Sequence, residues 1–168
     1  MRSSLIIRPE QPADQPVIYE LTEQAFRGRP YAGGDEQEVI NRLRDRGELV
    51  LSLVAQLQDE VVGQITFSPA GVADNSSPWF ALGPVAVLPA LQSEGIGGAL
   101  INQGLDEILK LGALGCILTG NPVYYSRFGF ELAPEHAPAN EPAEFFMLKC
   151  FTAVRPRGSF SFSPSFYG

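Results

Sequence analysis

The sequence predicts a single α/β (α+β) domain built on a mixed sheet, and three observations carry that prediction. Apolar residues recur with helical spacing in some segments and as short continuous or alternating runs in others. The early strand-like runs are joined by turns and the later ones by helices, which mixes antiparallel and parallel neighbours in one sheet. The chain has 168 residues, 45% of them hydrophobic, which is the size of one domain with a core that needs no disulfide or metal staple.

Leu5 to Arg8 reads as a short strand that Pro9 stops. From about Pro12 to Phe26, the positions Val17, Ile18, Leu21, Ala25 and Phe26 fall on one helical face. A Gly/Pro-dense loop follows. Asp35 is the expected N-cap of a second helix, with Val39, Ile40 and Leu43 as its apolar stripe and Gly47 as its end. LVLSLVAQL and VVGQITFSPAGV, joined through Gln58-Asp59-Glu60, read as an antiparallel hairpin over Leu49–Val72. WFALGPVAV is a third apolar strand. Gly95 to Leu111 is helical, ALGCILTG is a buried strand, and NPVYYSRF is a turn or short helix. FEL and EFFMLKCF are the last core strands, with a Pro-rich loop between them. That loop holds the single histidine, His136, which has no Ser/Asp or metal partner in motif spacing and is expected at the surface. The segment from 152 to 168 differs in composition from the domain at 1–151. Phe160 and Phe162 alternate with serines there. This fits a strand that joins a sheet edge or pairs in a homodimer, or else a loosely packed terminus.

Charge and cysteine content exclude several function classes. Twelve basic against 19 acidic side chains give a net charge of −7 with no Lys/Arg cluster, so nucleic acid and anionic membrane are unsuitable partners. Cys116 and Cys150 both sit in apolar runs without CxxC or Cys/His spacing, which argues against a disulfide scaffold or a metal site and for a reducing compartment. The start, MRSSLIIRPE, has three consecutive apolar residues, too few for a signal peptide, and no run approaches a membrane span. A cytoplasmic location is the expectation.

The segment LGPVAVLPALQSEGIGGALI carries chemistry. A strand runs into Pro89, and Gly95, Gly97 and Gly98 then open an amphipathic helix. Glycines at such a junction let backbone N–H groups approach a ligand, and with the orphan donors of the helix's first turn they form an anion site. Ala99 and Leu100 stand where a P-loop needs Lys and Ser/Thr, and Leu100 stands where a dinucleotide fingerprint needs its third glycine. The alternative is a tight strand-to-helix turn without a ligand.

Val87, Pro89, Gln92, Gly95 and Gly97 form V-x-P-x-x-Q-x-x-G-x-G, which resembles the acetyl-CoA-binding motif of the GNAT N-acetyltransferase superfamily. Tyr125, Gly129 and Phe130 match its later Y-x-x-x-G-F block. The LGP before the first motif and the YYSRFGF segment look most like the YhbS-like group, and the resemblance runs from about Leu5 to Phe151.

The resemblance implies a GNAT fold: a central, mostly antiparallel sheet flanked by helices, with a splayed cleft for the cofactor. It implies that the backbone of Val85, Ala86 and Val87 pairs with the pantetheine arm, and that Gln92, Ser93, Glu94, Gly95, Ile96, Gly97 and Gly98 wrap the pyrophosphate. Gln92 either donates through its amide or caps the helix. Relatives often carry Lys or Arg where this chain has Glu94. An exposed carboxylate there opposes a pyrophosphate by ~1 kcal/mol, so Glu94 points away, Arg127 supplies the charge, or affinity falls. Tyr125 falls where the family places the acid that protonates the departing thiolate, which suits a phenol within hydrogen-bond reach. Tyr124 is structural or a cofactor contact, and Asn121 either bonds the cofactor or starts the turn. Tyr31, Glu36 and Glu38 are acceptor-side candidates by position alone, since acidic residues are common in the first turn of a helix.

The implied activity is transfer of acetyl from acetyl-CoA to a primary amine on a small molecule or peptide, by direct attack and without a metal. Two rivals stand beside it: a non-catalytic acyl-CoA-binding regulatory domain and a nucleotide-binding module.

Overall fold

The computed structural model describes residues 4–30 and 32–168. Its elements in chain order are β1 (Leu5–Pro9), α1 (Gln15–Phe26), α2 (Glu36–Asp45), β2 (Leu51–Leu57), β3 (Glu60–Val72), β4 (Trp79–Val87), α3 (Ile96–Lys110), β5 (Gly115–Thr119), α4 (Pro122–Tyr125), β6 (Glu131–Leu132), β7 (Phe146–Cys150) and β8 (Phe160–Ser161). The strands form one sheet in the order β1-β2-β3-β4-β5-β7-β6, with β8 pairing to β3. All neighbours are antiparallel except β4 and β5, which the helical crossover through α3 makes parallel. This is the mixed sheet that the turn-then-helix order of connections predicts, and the mostly antiparallel one that the family resemblance implies.

Strand alternation divides the buried side chains between two faces. On one face α3 lays Ile96, Leu100, Ile101 and Ile108 against Leu53, Ile65, Phe67 and Leu82. Each such side chain, fully buried, contributes about 1.5–3 kcal/mol of transfer free energy. Gly104 lies in mid-helix because a Cβ there would overlap the Phe67 ring. On the opposite face Ile18 of α1 and Ile40 of α2 meet Val54, while Leu21 and Ala25 of α1 meet Ala86 of β4. That contact docks the C-terminal end of α1 beneath the last residues of β4.

Local chemistry sets the element ends. Asp14, 7% exposed, accepts from the Gln11 N–H at 2.7 Å and from Arg8 at 2.7 Å, closing the turn that opens α1. Asp35 occupies the N-cap of α2 as its sequence position predicts, but its carboxylate bonds Arg42 at 3.0 Å and not the helix backbone.

The segment after β7 returns to its own chain. Phe160 packs edge-on to Trp79 with ring centroids 4.9 Å apart, and β8 extends the far end of β3. Ser163 and Ser165 donate to the Glu48 carboxylate at 2.8 and 3.0 Å, and Arg42 donates to the Ser165 carbonyl at 2.8 Å. His136 departs from the surface position expected of it. Its side chain is 13% exposed, its Nδ1 lies 2.7 Å from the Gly158 carbonyl, and its ring meets the edge of Phe160. The returning segment covers it, which loop composition alone does not reveal.

Candidate active site

The site begins where two neighbouring strands separate. Trp79, Phe80 and Ala81 of β4 pair with Gly115, Cys116 and Ile117 of β5, and no pairing follows. β4 nevertheless continues to Val87, held on its other side by β3 through Ile65↔Val85, Gln64↔Ala86 and Gly63↔Val87. The Leu88 N–H donates to the Val62 carbonyl at 2.9 Å. Backbone groups alternate sides along an antiparallel pair, so Val85 and Val87 present theirs to the gap. The result is an open strand edge inside a sheet, a template for an extended ligand with amide groups.

At the end of that edge the chain turns into α3. Ser93 (φ +66°) and Gly95 (φ +89°) take left-handed backbone conformations, and only glycine does so without strain. Gly95 is the N-cap, and among the described residues no side chain caps the helix. The first bond of this helix end is Ala99 N–H to Gly95 carbonyl at 3.0 Å, so the amides of Ile96, Gly97 and Gly98 have no intrahelical acceptor. A Cβ at Gly97 would stand 3.3 Å from the Tyr124 hydroxyl and 3.8 Å from Val87, so this turn of helix lies between the strand edge and α4. Oriented N–H groups, a helix N-terminus and an open edge together suit a ligand that carries phosphates at one end and amides along its length.

Gln92 serves the frame of the cleft. Its Nε2 donates to the Val87 carbonyl at 3.1 Å, and its Oε1 accepts from Arg29 at 2.7 Å. Arg29 follows α1 and carries no motif, so nothing in the sequence marks it; the docking of α1 under Ala86 brings it here. Arg127 lies with its guanidinium carbon 5.5 Å from the centre of the Tyr124 ring. Burial raises the Tyr124 hydroxyl above its ordinary pKa, and the Arg127 charge opposes that rise.

Tyr125 is half-buried, with its ring against Gly120, where a Cβ would lie 2.7 Å from the ring, and edge-on to Phe130 at 6.1 Å between centroids. Asn121 is the N-cap of α4: its Oδ1 accepts from the Val123 and Tyr124 N–H groups at 2.9 and 3.4 Å. Its oxygen starts the turn. Of the acceptor-side candidates, Glu36 accepts from the N–H groups of Gly33 and Gly34 at 2.8 and 3.2 Å, and Glu38 accepts from the Tyr19 hydroxyl. Both carboxylates are engaged in the local frame of α2. Tyr31 lies outside the described residues.

The sequence reading missed a second set. Thr119, two residues past the last β4–β5 pair and on the face of β5 opposite α3, donates to Glu141 at 2.9 Å. Tyr167 donates to the other oxygen of Glu141 at 2.5 Å. Their separations of 22 and 26 residues carry no motif, and only the return of the C-terminal segment assembles them. A separate cleft of about 430 Å³ between α1 and the β2–β3 turn is lined by Arg8, which is paired with Asp14, and by Glu20, Asp59 and Glu60, whose carboxylates disfavour an anionic ligand. Among the described residues no group of His, Cys, Asp and Glu could hold a metal ion, and no helix is long and apolar enough to cross a membrane.

Comparison with known proteins agrees with this geometry. The family model "Acetyltransferase (GNAT) family" matches residues 16–130. The chain is 35% identical over 133 residues to an uncharacterized N-acetyltransferase, YhbS, of Escherichia coli K12, covering 79% of this chain and 77% of that one. A GNAT family acetyltransferase from Brucella melitensis, solved in complex with acetyl-CoA, superposes with a TM-score of 0.86 at 40% identity, covering 96% of this chain and 97% of that one. YhbS of Escherichia coli, solved in complex with CoA, superposes with a TM-score of 0.89 over 98% of this chain and 93% of its own, and is 28% identical over this longer alignment. Extending from α1 through the strand separation, the glycine turn and the YYSRFGF block, the match spans the parts that build the cleft, and the chain belongs to the acetyltransferase (GNAT) family.

Proposed function

We propose that the protein transfers acetyl from acetyl-CoA to a primary amine on a small-molecule or peptide acceptor, by direct attack of the amine on the thioester. One observation carries the reading: β4 parts from β5 after Ala81 and Ile117, and the exposed edge ends at an uncapped helix N-terminus. The residues fit the ligand. Val85 and Val87 offer backbone groups to the pantetheine amides, and the N–H groups of the Gly95–Gly98 turn face the pyrophosphate. Bound there, acetyl-CoA supplies the activated acetyl group.

The protein's contribution is positioning and proton management. As the new C–N bond forms and the C–S bond breaks, Tyr125 donates its phenolic proton to the departing sulfur. The proton that the amine sheds passes to solvent water, because Glu141, which Thr119 and Tyr167 hold on the face away from α3, already accepts on both oxygens. Glu36 and Glu38 take no part, since both are engaged in holding α2 and its approach. The net charge of −7 favours a cationic acceptor and gives CoA no long-range attraction, so local N–H donors must hold it.

Thermal unfolding with and without acetyl-CoA tests the cofactor. At a hundredfold excess over Kd, the ligand should stabilise by about 2.7 kcal/mol, several degrees in Tm. No shift at millimolar acetyl-CoA, with a shift by ATP or NAD, would turn the reading toward a nucleotide module.

A further inference from the structure

We propose that Arg29 is the cationic anchor for the pyrophosphate of the cofactor, an assignment that rests on the acetyl-CoA reading above. The glycine turn binds an anion with neutral N–H groups alone, and the residue just before Gly95 is Glu94, an acid. A cation brought from elsewhere in the chain adds to those donors. Arg29 reaches the loop that leads into this turn: its Nη2 donates to Gln92 Oε1 at 2.7 Å, while the same Gln92 side chain holds the Val87 carbonyl at 3.1 Å. The guanidinium is thereby tied to the last residue of the open strand edge and to the loop that leads into α3.

Three features prepare Arg29 for a phosphate. Among the described residues no carboxylate lies within ion-pair distance of it, whereas Arg27, two residues earlier, is paired with Glu23. A guanidinium carries five N–H donors in a planar fork suited to phosphate oxygens, and Gln92 engages one of its nitrogens. Its backbone is also placed: Arg29 N–H donates to Phe26 and Ala32 N–H donates to Arg29, each at 3.1 Å, just after α1 docks under Ala86 and Leu88. Arg127 stands over Tyr124, whose hydroxyl lies 3.3 Å from where a Cβ on Gly97 would be.

The test is calorimetric titration of wild type, Arg29→Gln and Arg29→Lys with three probes: CoA, dephospho-CoA, which lacks the 3′-phosphate, and pantetheine, which lacks every phosphate. Arg29→Gln should weaken CoA and dephospho-CoA alike, by about tenfold for a charge-assisted contact, and leave pantetheine unchanged. Arg29→Lys should recover part of the loss. Equal CoA affinity in wild type and Arg29→Gln overturns the assignment, as does a loss confined to CoA, which places Arg29 on the 3′-phosphate. A loss that extends equally to pantetheine also overturns it, leaving Arg29 as a brace for Gln92. Arg29 is exposed, so its replacement should leave Tm unchanged. Failure of wild type itself to bind CoA defeats the acetyl-CoA reading, and this outcome is distinct from all the others.

Discussion

The side-chain amide of Gln92 donates to the backbone carbonyl of Val87 at 3.1 Å, giving the end of an open strand edge the partner that a neighbouring strand would otherwise supply. This bond holds the loop before α3 against β4 and so fixes where the glycine turn begins. Gln92→Ala removes it together with the Arg29 contact. For hydrogen bonds worth about 1 kcal/mol net, Kd for acetyl-CoA should rise about fivefold with little change in Tm. Titration calorimetry alongside a melt checks both.

Gly97 has room for hydrogen and little more, since a Cβ would stand 3.3 Å from the Tyr124 hydroxyl. Gly97→Trp should fill the approach to the helix N-terminus and abolish the acetyl-CoA-dependent rise in Tm. A retained rise would place the ligand elsewhere.

Tyr125→Phe keeps the ring that packs on Gly120 and Phe130 and removes only the hydroxyl. Acetyl-CoA binding should persist while turnover falls about 10²-fold, the usual worth of a positioned acid. Steady-state kinetics with a saturating amine read this, and unchanged turnover would remove Tyr125 as the acid.

Gly104→Ala tests the core. The added methyl would meet the Phe67 ring, and overpacking costs about 1–3 kcal/mol, against roughly 1 kcal/mol of gained helix propensity. Tm should fall by a few degrees with the cleft intact, and a rise in Tm would show that Phe67 has room to move.

Asp14 gives stability a pH dependence of predictable sign. Hydrogen bonds from Arg8 hold its carboxyl below the ordinary carboxylate pKa, so its contribution is fully present above about pH 4 and lost as pH falls through the lowered value. Asp14→Asn should lower Tm at neutral pH and flatten the acid limb, the two proteins drawing together as pH falls through the lowered value. A constant Tm difference through that fall would contradict the assignment.

Much of the fold is legible in residue periodicity. WFALGPVAV alone delimits β4 at Trp79–Val87, and the spacing of Ile96, Leu100, Ile101 and Ile108 marks the buried face of α3. The glycine turn is legible because its conformation demands glycine at Gly95. Contacts that join distant segments are not. Arg29 meets Gln92 across 63 residues, and Tyr167 meets Glu141 across 26, and neither pair leaves a local pattern. Glu36 and Glu38 show the converse: their place beside the Gly/Pro-dense loop makes them candidates, while their oxygens bond the Gly33 and Gly34 amides and the Tyr19 hydroxyl. The partial cover over His136 is illegible for the same reason, since the segment that supplies it returns from 22 residues away.

Release of free CoA from acetyl-CoA, followed across a panel of cationic amines, tests the proposed activity most directly. Wild type should release CoA only when an amine is present, with matching formation of the N-acetyl product. Tight acetyl-CoA binding without amine-dependent release for any amine in the panel would contradict it and leave a domain that binds the cofactor without turning it over.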